Sequence, residues 1–262
     1  MHKFFTDRFG DGVAFLTKED VRHAGKVLRL KVGDAVLVND LKGNDYEGVI
    51  ERLNKEEGVI SGLKRLDDST ESPLFLHVFQ GIPKGQKMDL IVQKLCELGV
   101  QELTPLWTQR VVPGTLNEAK KIDRWRRISL EAAKQAGRSV VLQVNEPLDL
   151  AQVAEKMDEF DLILLFWEEA SGVGLRAIQE EIKAGRRVGL VVGPEGGLCE
   201  PEVQRLREAG AKVLTLGPRI LRTETCALTV VSILQYLGGD LGGVFSSVAQ
   251  EEFQKKNQTQ EK

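Results

Sequence analysis

The chain has 262 residues, of which 42% are hydrophobic and 29% charged, as in an ordinary globular protein. This composition excludes a mainly disordered chain, a collagen-like repeat and a coiled-coil rod, and the length allows a large core without disulfides. The net charge of -3 argues against a nucleic-acid partner, but it averages over two basic segments. Arg22 to Lys31 holds four basic residues and no acid, and Lys84 to Arg138 holds eleven basic against six acidic residues. A solvated surface and a nucleic-acid contact both remain open.

The cysteines and histidines predict neither a disulfide framework nor a metal site. Cys96, Cys199 and Cys226 form no C-x-x-C pair, and the three histidines are dispersed along the chain. Neither a signal peptide nor an apolar stretch long enough to span a membrane is visible. The sequence therefore predicts a cytoplasmic protein without a metal.

Residues 1–72 predict a small β-barrel domain. DAVLVND, LKGNDYEGVIERL and EGVISGLKRL alternate as strands do, with turn residues between them. TKEDVRHAGKVLRL is the one helical pattern, with Thr17 as its N-cap and Asp20 as an approximate capping-box partner. The polar stretch LDDSTESP, which ends at Pro73, predicts the domain boundary.

Residues 73–244 predict an α/β domain with a mostly parallel sheet, because short apolar runs alternate with helical patterns. One helix is expected from about Gln86 to Leu98 and ends at Gly99, and another from about Asn117 to Ala136 ends at Gly137. The last helix, from about Thr225 to Leu237, is apolar nearly all round and should be buried. The polar tail 245–262 predicts disorder.

Gly193-Pro194-Glu195-Gly196-Gly197 follows an apolar strand and precedes a helix in which Pro201 is expected at the first position. Three glycines make a tight loop with accessible peptide groups, at the sheet edge where open α/β folds bind ligands. A plain β-to-α turn needs only one glycine. The motif therefore favours a ligand loop over a simple turn.

The segment from Leu216 to Thr225 also lies between an apolar strand and the last helix. Thr223 or Thr225 is expected to cap that helix. Its two arginines, Arg219 and Arg222, could hold a phosphate or fix Glu224, but they could also be surface residues beside a capped helix.

Two weaker features favour structural roles. The pattern Gly172-x-Gly174-x-x-Ala177 lies too far beyond its strand for a dinucleotide fingerprint and predicts a loop and helix cap. His77 lies in an apolar run and is interpreted as a core residue, whereas His23 is interpreted as a surface residue.

Two late motifs together resemble a known family. VVGPEGGLCEPEV and LTLGPRILRTETCAL, in this order, are similar to the RsmE family of 16S ribosomal RNA uracil-N3 methyltransferases in the SPOUT superfamily. FFTDRF, HAGKVLRLKVGDAVLVNDLKGNDYEGVI, KGQKMDLIVQKLCELGVQELTPLWTQRVV and EAAKQAGR extend the resemblance over about residues 1–242. Gln109 and Cys226 depart from the family pattern, which usually has Glu and Ala at these positions.

The resemblance implies a PUA-like β-barrel followed by an α/β methyltransferase domain with a trefoil knot. It also implies a homodimer that binds S-adenosylmethionine and methylates N3 of a decoding-region uridine in 16S rRNA of the small ribosomal subunit. Carried over by motif, the cofactor contacts are Leu165, Phe166, Gly193, Pro194, Glu195, Gly196, Leu216, Gly217, Ile220, Leu221 and Arg222.

The reaction has two chemical demands that suggest catalytic candidates. The uracil N3–H is weakly acidic, so a base or an electrostatic field must favour its deprotonated form. Arg222 or Arg219 could stabilise negative charge on the uracil oxygens, and Glu195, Glu224 and Glu97 are candidate bases.

RNA contacts are expected from the two basic segments. Such contacts hold phosphates and position the substrate without reading its sequence. The candidates are Arg8, Arg22, His23, Lys26, Arg29, Lys31, Lys84, Lys87, Arg110 and Arg138.

Two other functions remain open from the sequence alone. A non-catalytic RNA-binding or ribosome-assembly protein would not bind the cofactor. A related knotted methyltransferase would modify another base or a ribose 2′-OH, which nucleoside mass spectrometry would distinguish.

Overall fold

A computed structural model describes residues 1–67, 70–110, 118–170 and 172–243, so the predicted tail 245–262 lies outside the described residues. The chain forms two compact units. The first comprises Met1–Glu71 and Ala133–Val141, and the second comprises Ser72–Ala132 and Leu142–Lys262. The sequence predicts a boundary near Glu71 but does not predict that residues 133–141 belong to the first unit.

The first unit is built on a curled six-stranded sheet. Its strands are β1 (Lys3–Phe5), β2 (Phe9–Gly10), β3 (Val13–Phe15), β4 (Ala35–Asn39), β5 (Asp45–Leu53) and β6 (Gly58–Arg65), in the order β1-β4-β5-β6-β3-β2. The pairing of β5 with β6 has two register irregularities, which increase local bending and twist. Alternate residues such as Val36, Val38 and Ile50 fill one core. The three strands predicted for this region are confirmed as β4 to β6.

The predicted helix begins as expected at Thr17. The Thr17 Oγ1 accepts a hydrogen bond from the Asp20 N–H at 3.1 Å and donates one to Asp20 Oδ2 at 2.7 Å. Helix α1 (Lys18–Arg22) continues as a π-helical turn over His23–Val27, which the sequence pattern does not predict.

A buried polar network joins residues 137–140 to the sheet of the first unit. Lys3 Nζ donates to Asp45 Oδ2 at 2.6 Å and to the Arg138 carbonyl at 2.9 Å. Asn39 Nδ2 bridges Asp45 Oδ1 at 2.7 Å and the Ser139 carbonyl at 2.8 Å. Each buried polar group in this set has a partner, so the network fixes where the segment lies.

The second unit contains a seven-stranded sheet in which every pairing is parallel, where the sequence predicts a mostly parallel sheet. Its strands are β7 (Phe75–Gly81), β8 (Glu102–Trp107), β9 (Gln143–Val144), β10 (Leu148–Asp149), β11 (Leu162–Phe166), β12 (Arg187–Val192) and β13 (Lys212–Leu214). The order is β10-β8-β7-β12-β11-β13, with β9 paired to β8. Strand β11 therefore lies between β12 and β13, the two strands that follow it in the chain.

Helices cover both faces of this sheet. They are α2 (Lys87–Glu97), α3 (Glu118–Ala136), α4 (Leu150–Ala154), α5 (Gln179–Ala184), α6 (Glu200–Glu208) and α7 (Thr223–Leu237). Phe79 packs in the core cluster that includes α4 and α6, whereas its neighbour Gln80 donates to Thr223 on α7. Successive strand residues face opposite sides, so α7 lies on the other face. The predicted helix ends at Gly99 and Gly137 are confirmed, with φ of 81° and 69°.

Three details of the helix predictions are wrong. Pro201 occupies the second position of α6, because the helix already begins at Glu200. Neither Thr223 nor Thr225 is the N-cap of α7; the N-cap is Arg222, and the Thr223 hydroxyl donates to the Gly193 carbonyl instead. Helix α7 is not buried all round, since Tyr236 is 70% exposed.

In the described parts of the chain, no helix is long and apolar enough to cross a membrane. The same residues contain no group of three His, Cys, Asp or Glu side chains placed to hold a metal ion.

Candidate active site

Three strands of the second unit end level with one another. Phe166 of β11 pairs with Val192 of β12 on one side and with Leu214 of β13 on the other. Because all three strands are parallel, the loops that follow them meet at one edge of the sheet. Together with Lys87 of α2 and the start of α7, these loops line a cavity of about 710 Å³.

The glycine-rich loop after β12 is compact because glycine is required at two close approaches. Gly81, at the end of β7, passes so near that an added Cβ would lie 2.4 Å from the Pro194 nitrogen. Gly197 has φ +69°, and a Cβ there would lie 1.9 Å from Glu168 Oε1. Side chains at these positions would displace the loop or the carboxylate.

Two buried side chains tie this loop to α7. Thr223 Oγ1 donates to the Gly193 carbonyl at 2.6 Å and accepts from Gln80 Nε2 at 2.8 Å. These bonds hold the start of α7, and thus Arg222 before it, against the glycine loop.

The loop after β13 presents free peptide groups to the cavity. Within the described chain, no residue accepts a hydrogen bond from the backbone N–H groups of Leu216, Ile220 and Leu221. Gly217 has φ +102°, and its N–H donates to Thr215 Oγ1 at 3.2 Å. Ligand atoms can satisfy the three free donors.

Glu195 is held by positive and polar groups. Its carboxylate accepts from Lys87 Nζ at 2.8 Å and from the Lys84 N–H at 3.1 Å. Burial raises the pKa of Glu195, but the hydrogen bonds from Lys87 and Lys84 outweigh it and hold the pKa below its ordinary value. Lys87 Nζ also lies 4.0 Å from Glu224 Oε2, a buried oxygen that accepts no hydrogen bond from the described residues.

Arg219 and Arg222 both line the cavity and are exposed. Neither forms an ion pair with any residue that the structure describes, so both guanidinium groups are available to an anionic ligand.

Cys226 also borders the cavity, but its chemistry is suppressed. Burial and the negative charge of Glu168 raise the pKa of the thiol to about 12. The prediction that this cysteine is chemically inert agrees with that shift.

Most of the residues assigned to the cofactor by resemblance meet here. The lining includes Phe166, Gly193, Pro194, Glu195, Gly196, Leu216, Gly217, Ile220, Leu221 and Arg222. Leu165 is the exception: it is fully buried in the core and does not line the cavity.

Of the candidate bases, Glu195 lies in the lining and Glu224 is next to it through Lys87. Glu97 is not among the residues that line the cavity. It lies in the last turn of α2, ten residues from Lys87, and pairs with Lys94 at 2.8 Å.

The residues predicted to contact RNA differ in how exposed their side chains are. Exposed side chains are Arg8, Arg22, His23, Lys26, Arg29 and Lys31 in the first unit, and Lys84 and Arg110 in the second. Lys87 lines the cavity instead of an open surface. Arg110 Nη1 donates to the Gly196 carbonyl at 2.7 Å.

Arg138 is corrected from an RNA contact to a structural residue. Its side chain is 4% exposed and forms an ion pair with Glu71, whose Oε1 also accepts from the N–H groups of Ser139 and Val140. A guanidinium buried in this way is not available to phosphates.

Sequence reasoning missed Trp167, Glu168 and Thr223 as lining residues and did not place Lys87 in the cavity. Trp167 and Glu168 follow a strand whose carboxyl end lies at this edge, and Lys87 and Thr223 are the first residues of helices there. That position is a signal that could have identified them.

His77 is confirmed as a core residue. Its Nε2 lies 2.8 Å from Thr104 Oγ1, and its ring stacks on Phe79 at 4.1 Å. Burial, with the positive charges of Arg187 and Lys156, lowers the pKa of His77 to about 3.

Two protein-family models match this chain. A model described as an RNA methyltransferase domain matches residues 70–235, and one described as an RNA methyltransferase PUA domain matches residues 16–61.

Individual relatives match most of the chain. Ribosomal RNA small subunit methyltransferase E of Bacillus subtilis (strain 168) is 33% identical over 84% of this chain and 89% of its own length. The protein of the same name from Aquifex aeolicus (strain VF5) is 31% identical over 89% of this chain and 99% of its own length.

Two solved structures are similar to this chain over most of its length. Ribosomal RNA small subunit methyltransferase E from Neisseria gonorrhoeae, bound to S-adenosyl methionine, is 31% identical with a TM-score of 0.81, covering 92% of this chain and 99% of that one. The putative methyltransferase from Legionella pneumophila, in complex with the bound cofactor SAM, is 33% identical with a TM-score of 0.78, covering 91% and 98%. The chain belongs to the RNA methyltransferase family that contains the ribosomal RNA small subunit methyltransferase E proteins.

Proposed function

We propose that this chain is an S-adenosylmethionine-dependent methyltransferase that methylates N3 of a uridine in 16S rRNA of the small ribosomal subunit. The observation that carries the proposal is the cavity of about 710 Å³ enclosed by the three loops at the level ends of β11, β12 and β13. Its size is that of a small-molecule site, and the family membership supports the reaction class.

The lining fits an adenosyl group. Phe166 and Leu216 provide apolar surface for a flat base, and the free N–H groups of Leu216, Ile220 and Leu221 provide hydrogen-bond donors. In the second loop, an added Cβ at Gly193 would lie 3.2 Å from Gly197 and one at Gly196 would lie 3.2 Å from Arg110, so glycine keeps this loop close to its neighbours. When bound, S-adenosylmethionine supplies an activated methyl group on a positively charged sulfur.

The arginines of the third loop stabilise the reacting uracil. Loss of the N3 proton puts negative charge on the uracil oxygens, and a fixed guanidinium nearby favours that state. Arg222 is the stronger candidate, because the Thr223 hydrogen bonds fix the backbone directly after it. Arg219 lies in the exposed part of the same loop and serves as the second positive charge.

The two candidate bases differ in how they are held. Glu195 has a lowered pKa because Lys87 and Lys84 bind its carboxylate, which makes it a weak proton acceptor and suits it to holding the loop. Glu224 retains a buried oxygen with no hydrogen bond from the described chain. We therefore assign loop positioning to Glu195 and keep Glu224, which lies beside the lining, as a candidate base.

RNA contact is assigned to the exposed basic residues of each unit. In the first unit, Arg22, Lys26, Arg29 and Lys31 lie on or just after the α1 and π-helical segment. They hold phosphates, while the chemistry belongs to the second unit.

The resemblance also implies a PUA-like barrel, a trefoil knot, a homodimer and a cytoplasmic location, which remain part of this proposal. Sedimentation of the purified chain tests the proposed homodimer.

The experiment combines cofactor binding with product analysis. Wild-type protein should bind S-adenosylmethionine by calorimetry and should form 3-methyluridine in small-subunit RNA that lacks this modification, detected by nucleoside mass spectrometry. Gly196→Val adds bulk at the cavity beside Arg110 and should weaken cofactor binding by about 30-fold.

Gly25→Val is the matched control, because an added Cβ at this exposed glycine meets no atom within 4 Å. It should bind the cofactor as the wild type does. A wild-type protein that binds no S-adenosylmethionine would overturn the proposal, and a methyl group on another base or a ribose would move it to another RNA position.

A further inference from the structure

One charged group in the cavity has no part in the mechanism above. Glu168 follows β11 by two residues, and its carboxylate lies directly against Gly197. A Cβ at position 197 would come within 1.9 Å of Glu168 Oε1, so a side chain there would require this exposed carboxylate to move. The carboxylate and the glycine loop are thus in direct contact at the cavity.

This charge is not neutralised by the chain. The lining contains two carboxylates, and the other, Glu195, is bound by Lys87 Nζ at 2.8 Å. Glu168, in contrast, has no hydrogen bond or ion pair with any residue in the described ranges. An unpaired carboxylate at a concave surface attracts a cation and disfavours an anion.

Glu168 also acts on a second residue that lines the same cavity. Cys226 lies in the first turn of α7, and the charge of Glu168, after burial, contributes to the raised pKa of its thiol. Both residues border the space that a ligand would occupy.

The two ligands that this site must exchange differ in charge. S-adenosylmethionine carries one more positive charge, on sulfur, than S-adenosylhomocysteine, while the adenosine and amino-acid groups are the same. During transfer the electron pair of the broken S–C bond stays on sulfur, the methyl carbon bonds to uracil N3, and the N3 proton goes to the base. The positive charge on sulfur therefore disappears.

We propose that Glu168 makes the cavity prefer the cationic donor over its neutral product, and so promotes exchange of spent product after each turnover. The inference rests on the proposed function and concerns the same cavity. Glu168 is a specificity-determining residue for the charge on sulfur and takes no proton in the reaction.

The test measures three ligands by calorimetry: S-adenosylmethionine, S-adenosylhomocysteine and sinefungin, which bears an amine in place of the methylsulfonium group. Glu168→Gln should weaken binding of both cationic ligands about fivefold and change S-adenosylhomocysteine less than twofold. Glu168→Asp keeps the charge and should retain most of the preference. Raising the salt concentration should reduce the wild-type preference and leave that of Glu168→Gln unchanged.

Glu169→Gln is the matched control, because it removes the same charge one residue further on, from an exposed side chain outside the lining. It should leave all three affinities unchanged. Equal weakening of all three ligands by Glu168→Gln would place the carboxylate on the shared amino group and overturn the inference, as would no change at all. A wild-type protein that binds none of the ligands would instead refute the proposed function.

Discussion

The buried network of the first unit and the cavity of the second differ in whether their polar groups have partners within the chain. Around Arg138, the carboxylates, amide and ammonium group satisfy one another through Glu71, Asp45 and Lys3. Around the cavity, the carboxylate of Glu168 and the N–H groups of Leu216, Ile220 and Leu221 have no partner in the described chain.

This difference separates structural polar groups from binding groups. A polar group that is buried without a partner costs free energy, so a closed network belongs to the fold. Unpaired groups at a concave, accessible surface retain their interactions for a ligand. Changes in the first set should alter stability, and changes in the second should alter binding or turnover.

The largest expected effect follows from breaking the closed network. Arg138→Met leaves the Glu71 carboxylate buried without its cation and should lower the free energy of unfolding by about 3 kcal/mol. Arg126→Met removes an exposed arginine whose Nη2 lies 3.0 Å from Glu146, and it should cost less than about 1 kcal/mol.

Urea unfolding of the two variants measures the contrast. Equal losses would show that the network around Glu71 does not carry the stability assigned to it. Cofactor affinity of the Arg138 variant, measured well below its unfolding temperature, should remain that of the wild type.

The same contrast explains what the sequence can predict. Leu162–Phe166 and Arg187–Val192 are nearly continuous apolar runs, and parallel strands bring their carboxyl ends to one edge, so the loops of the cavity follow from pattern. The glycine loop and the third loop were identified for this reason. The eleven cofactor residues came instead from the family resemblance, and ten of them line the cavity.

Partnerships between distant residues are not visible in such patterns. Arg138 was assigned to RNA because it lies in a basic segment, but its partner Glu71 is 67 residues away. Glu168 was missed because its contact with Gly197 joins two loops that are 29 positions apart in the sequence. The short strands β1 to β3 have too few residues to show an alternation.

The next largest effect is on turnover. Arg222→Gln removes a positive charge that stabilises the deprotonated uracil and should lower the single-turnover rate by about 100-fold. Affinity for S-adenosylmethionine should change less than about threefold, since the side chain is assigned to the uracil.

Arg176→Gln removes an exposed arginine outside the cavity lining and should change neither quantity. If Arg222→Gln instead lost cofactor binding and kept its rate at saturating cofactor, the guanidinium would belong to the cofactor.

The buried His77 in the second unit should make the free energy of unfolding depend on pH. His77 has a pKa of about 3 in the folded chain and 6.5 as its ordinary value, so below pH 6.5 only the unfolded chain takes up this proton. The part of the free energy of unfolding that comes from keeping His77 neutral is complete above pH 6.5. It is lost as the pH falls toward 3, by about 2 kcal/mol between pH 6.5 and 5.

Urea unfolding at several pH values tests this slope. His77→Gln should flatten it, whereas His23→Gln at the exposed histidine should leave it unchanged. Equal slopes in all three proteins would show that His77 does not resist protonation in the fold.

The smallest expected effect is on RNA binding by the first unit, and it depends on where the positive charges lie as well as on the net charge. Lys26→Glu with Arg29→Glu reverses two exposed charges in the segment assigned to phosphates and should weaken RNA binding about tenfold while reducing its salt dependence. Lys55→Glu with Lys64→Glu makes the same change in charge on exposed residues of the same unit outside this segment, and should weaken binding much less. Filter binding at several salt concentrations compares the two pairs, with cofactor affinity unchanged in both. Both pairs change the net charge equally. Equal losses of RNA affinity would therefore mean that the segment from Arg22 to Lys31 makes no special contact with RNA. A larger loss for the first pair would indicate that this segment binds the phosphates.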